Sequence, residues 1–141
     1  MKKSAILFCI IFLSAALGFA VTSDKKTVNG IEYFEEKKGD SVVGYSIELS
    51  FKGYSGLIRA LVRIDTNGVI HDIEILENNE TPGFGTRIDK KNFLGQFKDK
   101  DADTVAVGKN IDAVTGATIS SKAITDAIQK TTGEFFKKLR K

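Results

Sequence analysis

The chain has 141 residues, with 21 Lys and Arg against 18 Asp and Glu, one His and one Cys, and a formal charge of +3. That length suits one ordinary domain with its own core behind a short leader. Mixed charge leaves no basic footprint for nucleic acid, and so few histidines and cysteines exclude a zinc centre, a disulfide framework and a cysteine nucleophile in the mature domain.

Lys2 and Lys3 precede an apolar run from Ala5 to Leu17, and Gly18-Phe19-Ala20 places small residues where a signal peptidase reads. Residues 1–20 therefore read as a signal peptide cleaved after Ala20, or as an uncleaved membrane anchor, since Ala5 to Val21 reaches the short limit of a span. Both readings predict an exported protein, periplasmic or otherwise extracytoplasmic, the second with membrane association through the N-terminus. Cys9 lies inside the apolar run behind bulky Phe8, not after a lipidation signal. Without this segment the charge falls to +1 through loss of Lys2 and Lys3, and no thiol remains.

Residues 21–40 read as a polar segment and 41–141 as the domain. Alternation begins at Val43, with Tyr45, Ile47, Leu49 and Phe51 on one face and Ser46, Glu48, Ser50 and Lys52 on the other, the pattern of a half-buried strand. Gly53-Tyr54-Ser55-Gly56 punctuates it. A second strand, Leu57 to Asp65, leads through Asn67-Gly68 into a third, Val69 to Glu77. Read as a two-residue hairpin loop, Asn67-Gly68 opposes Ile64 to His71, Val62 to Ile73 and Ala60 to Ile75 on the core face and Arg63 to Asp72 on the other. This register puts His71 at the edge of the buried face, as a structural residue.

Glu80-Thr81-Pro82-Gly83-Phe84-Gly85 forms a tight loop. A helix from about Asp89 to Phe97 burying Phe93, Leu94 and Phe97 is expected next, then a short strand over Thr104 to Val107 and a loop to Gly116. A final helix starts near Ile119, with Ile124, Ala127, Ile128, Phe135 and Leu139 inward at helical spacing and Gly133 as a point of ending or kinking. The fold class is α+β: an antiparallel sheet, a three-strand meander plus a short strand, with helices packed on one face. Neither a dinucleotide fingerprint nor a P-loop is present.

With no nucleophile elbow, no histidine pair and no mature cysteine, chemistry in such a domain comes from a cofactor. The segment Asp112-Ala113-Val114-Thr115-Gly116-Ala117-Thr118 resembles the flavinylation motif of the FMN-binding domain family, found in the flavin subunits of sodium-pumping NADH:quinone oxidoreductases and Rnf complexes and in small exported flavoproteins. Glu80 to Gly85, reading ETPGFG, is similar to the family's ETPGxG loop, and the resemblance extends over about residues 42–128. One departure is Ser55, where glycine is commoner.

The resemblance implies FMN joined through its phosphate to Thr118 by a separate flavin transferase. Asp112 matches the family's acid, Thr115 its hydroxyl residue, and Gly116 and Ala117 its small pair. Glu80, Thr81, Gly83 and Gly85 are expected to bind the cofactor from the second loop. It further implies an electron carrier, or a component of a larger complex, working between redox donor and acceptor proteins, not a stand-alone enzyme. Independently, small residues before Thr118 leave its hydroxyl open to another enzyme's cleft, and a helix N-terminus at Thr118 favours a phosphate. Lys122 is either a further phosphate contact or a solvated lysine. The alternative reading is a non-redox binding or scaffold module of an envelope complex, with Thr118 or Ser120 as a plain helix cap.

Overall fold

The computed structural model describes residues 20, 21 and 24–141, so the leader or anchor read over residues 1–20 lies, apart from Ala20, outside the described residues. The elements are β1 (Ala20–Val21), β2 (Lys26–Val28), β3 (Ile31–Lys38), β4 (Ser41–Lys52), β5 (Leu57–Asp65), β6 (Ile70–Asn78), α1 (Lys91–Leu94) and α2 (Thr118–Leu139). Short 3-10 turns flank α1 at Gly85–Asp89 and Gly95–Phe97, and another spans Ala102–Thr104. All strand pairings within the sheet are antiparallel, in the order β1, β3, β4, β5, β6, with β2 sharing the outer edge of β3. The α+β class and the three-strand meander hold.

The sheet is wider than the sequence pattern suggests, because β2 and β3 lie within the stretch read as polar. Asn29 and Gly30 both have positive φ, 50° and 79°, and join Val28 to its partner Ile31. This is the two-residue Asn-Gly hairpin geometry that matches strand twist. β3 buries Ile31 and Tyr33, while its charges are absorbed in contacts: Lys26 Nζ meets Glu35 at 2.7 Å, and buried Glu36 accepts from Ser46 Oγ at 2.7 Å and Arg63 Nε at 2.8 Å.

Asn67-Gly68 behaves differently. Gly68 N donates to Asp65 O at 3.1 Å and Asp65 N to Val69 O at 3.0 Å, so the loop has three residues, Thr66 to Gly68, closed by an Asp65–Val69 pair. The Asp65 carboxylate supports it by accepting from the amides of Asn67 and Val69. The longer loop shifts the first pairing to Ile64–Ile70, and a bulge restores the expected register at Arg63–Asp72, Val62–Ile73 and Ala60–Ile75. His71 is the residue left over; it is exposed, which corrects its expected place at the edge of the core face. A second irregularity, between Arg59 and Ala60, leaves Leu76 unpaired and aligns Ile58 with Asn78.

Tyr33, Ile47, Val62 and Ile73 form a buried row across the core face. α2 packs on it through Ile124, Ile128, Phe135 and Phe136, with the Phe135 ring centroid 4.9 Å from Tyr33 and 5.0 Å from Tyr45 in edge-to-face geometry. Gly133 neither ends nor breaks the helix. The helix expected over Asp89 to Phe97 is only a single α-turn between 3-10 turns, yet it buries Phe93 and Phe97 as anticipated.

The strand expected over Thr104 to Val107 is absent; Val107 makes one isolated parallel bridge with Ile111. Local side chains take its backbone groups instead: Asn110 accepts from Ala106 N at 2.9 Å and donates to Thr104 O at 3.1 Å. Residues 99–102 bond to Gly68 and Ile70, covering the start of edge strand β6. Among the described residues no helix is long and apolar enough to cross a membrane.

Phe135 is fully buried at the centre of the aromatic cluster. Phe135→Ala is therefore expected to lower unfolding free energy by about 3–5 kcal/mol in urea denaturation, with α2 losing its packing first.

Candidate functional site

Antiparallel pairing brings the β4–β5 turn and the end of β6 to the same end of the sheet, since Lys52 opposes Leu57 and Ile58 opposes Asn78. The turn, Gly53 to Gly56, closes with Gly53 N donating to Gly56 O at 2.9 Å. From the other side Asn79 N donates to Leu57 O at 2.9 Å, and Asn78 Oδ1 accepts from Glu80 N at 2.9 Å, turning the chain so that the Glu80 side chain points under the β4–β5 turn.

There Glu80, a residue only 5% exposed, has its carboxylate filled with donors. Tyr54 N reaches Oε2 at 3.1 Å, and Ser55 N and Gly56 N reach Oε1 at 2.9 and 2.7 Å. Ser120 Oγ, in the first turn of α2, donates to Oε2. One acid thus ties together the β4–β5 turn, the ETPGFG loop and the start of α2. Burial raises its pKa, but donation from Ser120 and from the amides of Gly56, Ser55 and Tyr54 outweighs that and holds the carboxyl below its ordinary value.

Glycine is required around this acid by space. A Cβ on Gly53 would lie 2.6 Å from the Glu80 carboxyl carbon, one on Gly85 would lie 2.3 Å from Oε2, and one on Gly56 would lie 1.9 Å from Asn79 O. Ser55 Oγ and Thr81 Oγ1 lie 3.2 Å apart and add a side-chain contact between the two loops.

The assembled loops enclose an open cleft of 470 Å³, lined on one side by Tyr54, Glu80, Thr81, Phe84 and Gly85 and on the other by residues 116–120. Its apolar rim is uncovered: Tyr54 is 68% exposed, Phe84 59% and Ile119 57%. Exposed aromatic and aliphatic groups around a concavity of this size are the composition of a small-molecule site. Thr118 is the first residue of α2 and is exposed at the cleft. Ala117 occupies the N-cap, and no side chain caps the helix. Thr118 and Ser120 are therefore not caps; Ser120 is committed to Glu80, and Ser121 bonds to Ala117 O and Val114 N.

Of the residues singled out in the sequence, Glu80, Thr81, Gly85, Gly116, Ala117 and Thr118 line the cleft together. Asp112, Thr115 and Gly83 are exposed and stand outside its lining. The Asp112 backbone is clamped by Gln96, whose amide accepts from Asp112 N at 2.7 Å and donates to Asp112 O at 3.0 Å. Lys122 is turned away, its Nζ 2.7 Å from Asp126. Tyr54 and Ile119, which line the cleft, and Arg87, which bonds to Thr115 O beside it, are not among the residues the sequence motifs single out. Ile119 had a detectable signal, an apolar residue at the helix start off the stripe of Ile124 and Ile128; Tyr54 and Arg87 lie in turns, where no period marks them.

A family model described as the FMN-binding domain matches residues 53–132, a span that begins at the β4–β5 turn and contains every cleft-lining residue. One component of the proton-translocating ferredoxin:NAD(+) oxidoreductase complex of Clostridium ljungdahlii is 42% identical over 110 residues, 73% of this chain and 60% of that protein. The corresponding component of the Na(+)-translocating ferredoxin:NAD(+) oxidoreductase complex of Acetobacterium woodii is 36% identical over 108 residues, 70% of this chain and 52% of that one. The chain thus spans between half and two thirds of the length of these relatives. In fold it is similar to NqrC of Shewanella oneidensis, with a TM-score of 0.66 at 20% identity over 78% of this chain and 61% of that one.

Removing the acid at the centre of the three loops leaves several amides and a hydroxyl without their acceptor, and Glu80→Ala is expected to cost on the order of 2–4 kcal/mol. Because the folded-state carboxyl binds its proton more weakly than the unfolded one, its stabilisation is complete above the ordinary carboxylate range, about pH 4.3, and is lost as pH falls through and below it. Urea midpoints measured between pH 7 and pH 3 should fall more steeply for wild type than for Glu80→Gln. Parallel curves would show that the carboxylate does not carry this dependence.

Proposed function

Because the chain belongs to the FMN-binding domain family, we propose that it is an exported electron carrier with FMN esterified through its phosphate to Thr118. The observation that carries the proposal is exposed Thr118 at the first position of an uncapped 22-residue helix, on the wall of a cleft whose apolar rim nothing in the described chain covers.

The residues fit such a group. Tyr54, Phe84 and Ile119 offer apolar surface to a flat ring system. The free amides and positive dipole end at the start of α2 suit a phosphate, an effect worth about 0.3–2 kcal/mol. Gly116 and Ala117 keep the approach to Thr118 open to a flavin transferase, and exposed Asp112 is available to that enzyme as a recognition acid. In attachment, Thr118 Oγ forms the new P–O bond to the flavin-side phosphorus of a pyrophosphate donor such as FAD. The phosphoanhydride bond breaks, the nucleotide half leaves as its monophosphate with the bonding pair, and the hydroxyl proton passes to the transferase.

Once attached, FMN supplies one- and two-electron transfer, which no side chain at this site performs. The protein's part is to hold the ring by its apolar rim, to limit water through Phe84 and Tyr54, and to keep the group from dissociating between donor and acceptor proteins. Glu80 acts one step removed: its oxygens are occupied by the three loops, so it shapes the cleft and does not ligate the flavin. The apolar run from Ala5 to Leu17 behind Lys2 and Lys3, read as a signal peptide or an uncleaved anchor, supports export, with the partners reached outside the cytoplasm.

Produced with an active flavin transferase, wild type should gain the mass of an FMN ester on the peptide containing Thr118 and turn yellow. Thr118→Ser should keep the modification and Thr118→Ala should lose it, both with unchanged circular dichroism. A colourless wild-type protein of unmodified mass would leave the non-redox scaffold reading in its place.

A further inference from the structure

Beside the cleft, an exposed arginine bonds to the segment that leads into Thr118. Arg87 lies in the 3-10 turn Gly85–Asp89 that follows the Glu80 loop, and it reaches across to the segment that carries Thr118. Its Nη1 donates to the Thr115 carbonyl at 3.1 Å, and a Cβ built on Gly116 would stand 3.4 Å from the same nitrogen. The guanidinium carbon is 5.9 Å from the centroid of Phe84. Phe84 and Gly116 both line the cleft.

Among the described residues this cation has a neutral carbonyl as its hydrogen-bond acceptor and a ring nearby. Among the described residues no carboxylate lies within ion-pair distance of Arg87, whereas Lys122 is paired with Asp126. A hydrogen bond to Thr115 O asks for one N–H; a guanidinium brings five in a rigid fork and a full charge. The surplus matches a phosphate, which accepts two parallel N–H groups and neutralises the charge.

We propose that Arg87 is the charge partner of the phosphate ester on Thr118, an ion pair that joins the loop after Glu80 to the first turn of α2. The proposal rests on the Thr118 assignment above. It gives the role considered for Lys122 to a residue 31 positions before Thr118 in the chain.

The full chain is incubated with a purified flavin transferase and FAD as wild type, Arg87→Gln, Arg87→Lys and Lys130→Gln, the last an exposed helix lysine that controls for net charge. Gln keeps a donor for Thr115 O and removes the charge; Lys keeps the charge. Intact mass against time reads FMN addition, and phosphorus NMR of the product reads the ester. Arg87→Gln is expected to add FMN about tenfold more slowly and to show a displaced phosphorus resonance. Arg87→Lys should fall between, and Lys130→Gln should match wild type in both.

A resonance in Arg87→Gln that coincides with wild type overturns the proposal whatever the rate, because slow transfer alone then belongs to the transferase encounter. If Arg87→Gln takes up no FMN while Arg87→Lys does, the requirement for charge is established; loss in both overturns it in favour of a structural role. Absence of FMN on wild type removes the Thr118 assignment itself, and this pairing falls with it before any Arg87 variant is compared.

Discussion

The site depends on one carboxylate placed beneath three loops. Backbone amides in a tight turn have no strand to bond with, and a buried acid has no water; each supplies what the other lacks. At Glu80 the amides of residues 54–56 and the Ser120 hydroxyl fill both oxygens. The arrangement converts two loops and a helix end, each separately flexible in principle, into a single wall. Because the acceptor is charged, these bonds are stronger than neutral ones.

The sheet delivers the parts to that acid. The β4–β5 turn and the end of β6 emerge at the same end of the sheet, and the unpaired residue at Leu76 aligns Asn78 with Ile58 just before the chain leaves it. Asn78 then fixes the exit: its Oδ1 accepts from Glu80 N and its Nδ2 donates to Asp89 at 2.7 Å, joining the two ends of the loop that contains Phe84. On the core face α2 is anchored at its far end by Phe135 and Phe136 and at its near end by Ser120. The helix is therefore held by packing at one end and by a hydrogen bond to the site at the other.

Much of this was legible in the sequence where hydrophobic period governs. The alternation of β4 and β5 and the spacing of Ile124, Ile128 and Phe135 led directly to the core face. The two loop motifs also led to the residues that share the cleft. What escaped was decided by local hydrogen bonding or by charge. Ile31 and Tyr33 alternate correctly, but Glu35 to Lys38 hide the pattern until Lys26, Ser46 and Arg63 are seen to absorb those charges. Asn67-Gly68 looked like a two-residue turn because the Asp65 carboxylate, which builds the longer one, carries no periodic signal. The segment Thr104 to Val107 looked extended because Asn110, several residues on, takes its backbone groups. The Glu80 loop is legible as a motif, but the bonds its carboxylate makes to the amides of residues 54–56 and to Ser120 are a property of three segments far apart in the chain.

The crowding around Glu80 also bears on how such a domain can diverge. Gly53 and Gly85 are small because the acid fills the space a methyl group would need, and Gly56 is small because the carbonyl next to that acid does. An ancestor that enlarged any one of them would lose the nest, and one that shortened the acid would leave three bare amides beneath a turn with no reason to stay closed. Positions 53, 56, 80 and 85 should therefore pass between generations as a block, while exposed positions that do not face the acid carry no such constraint.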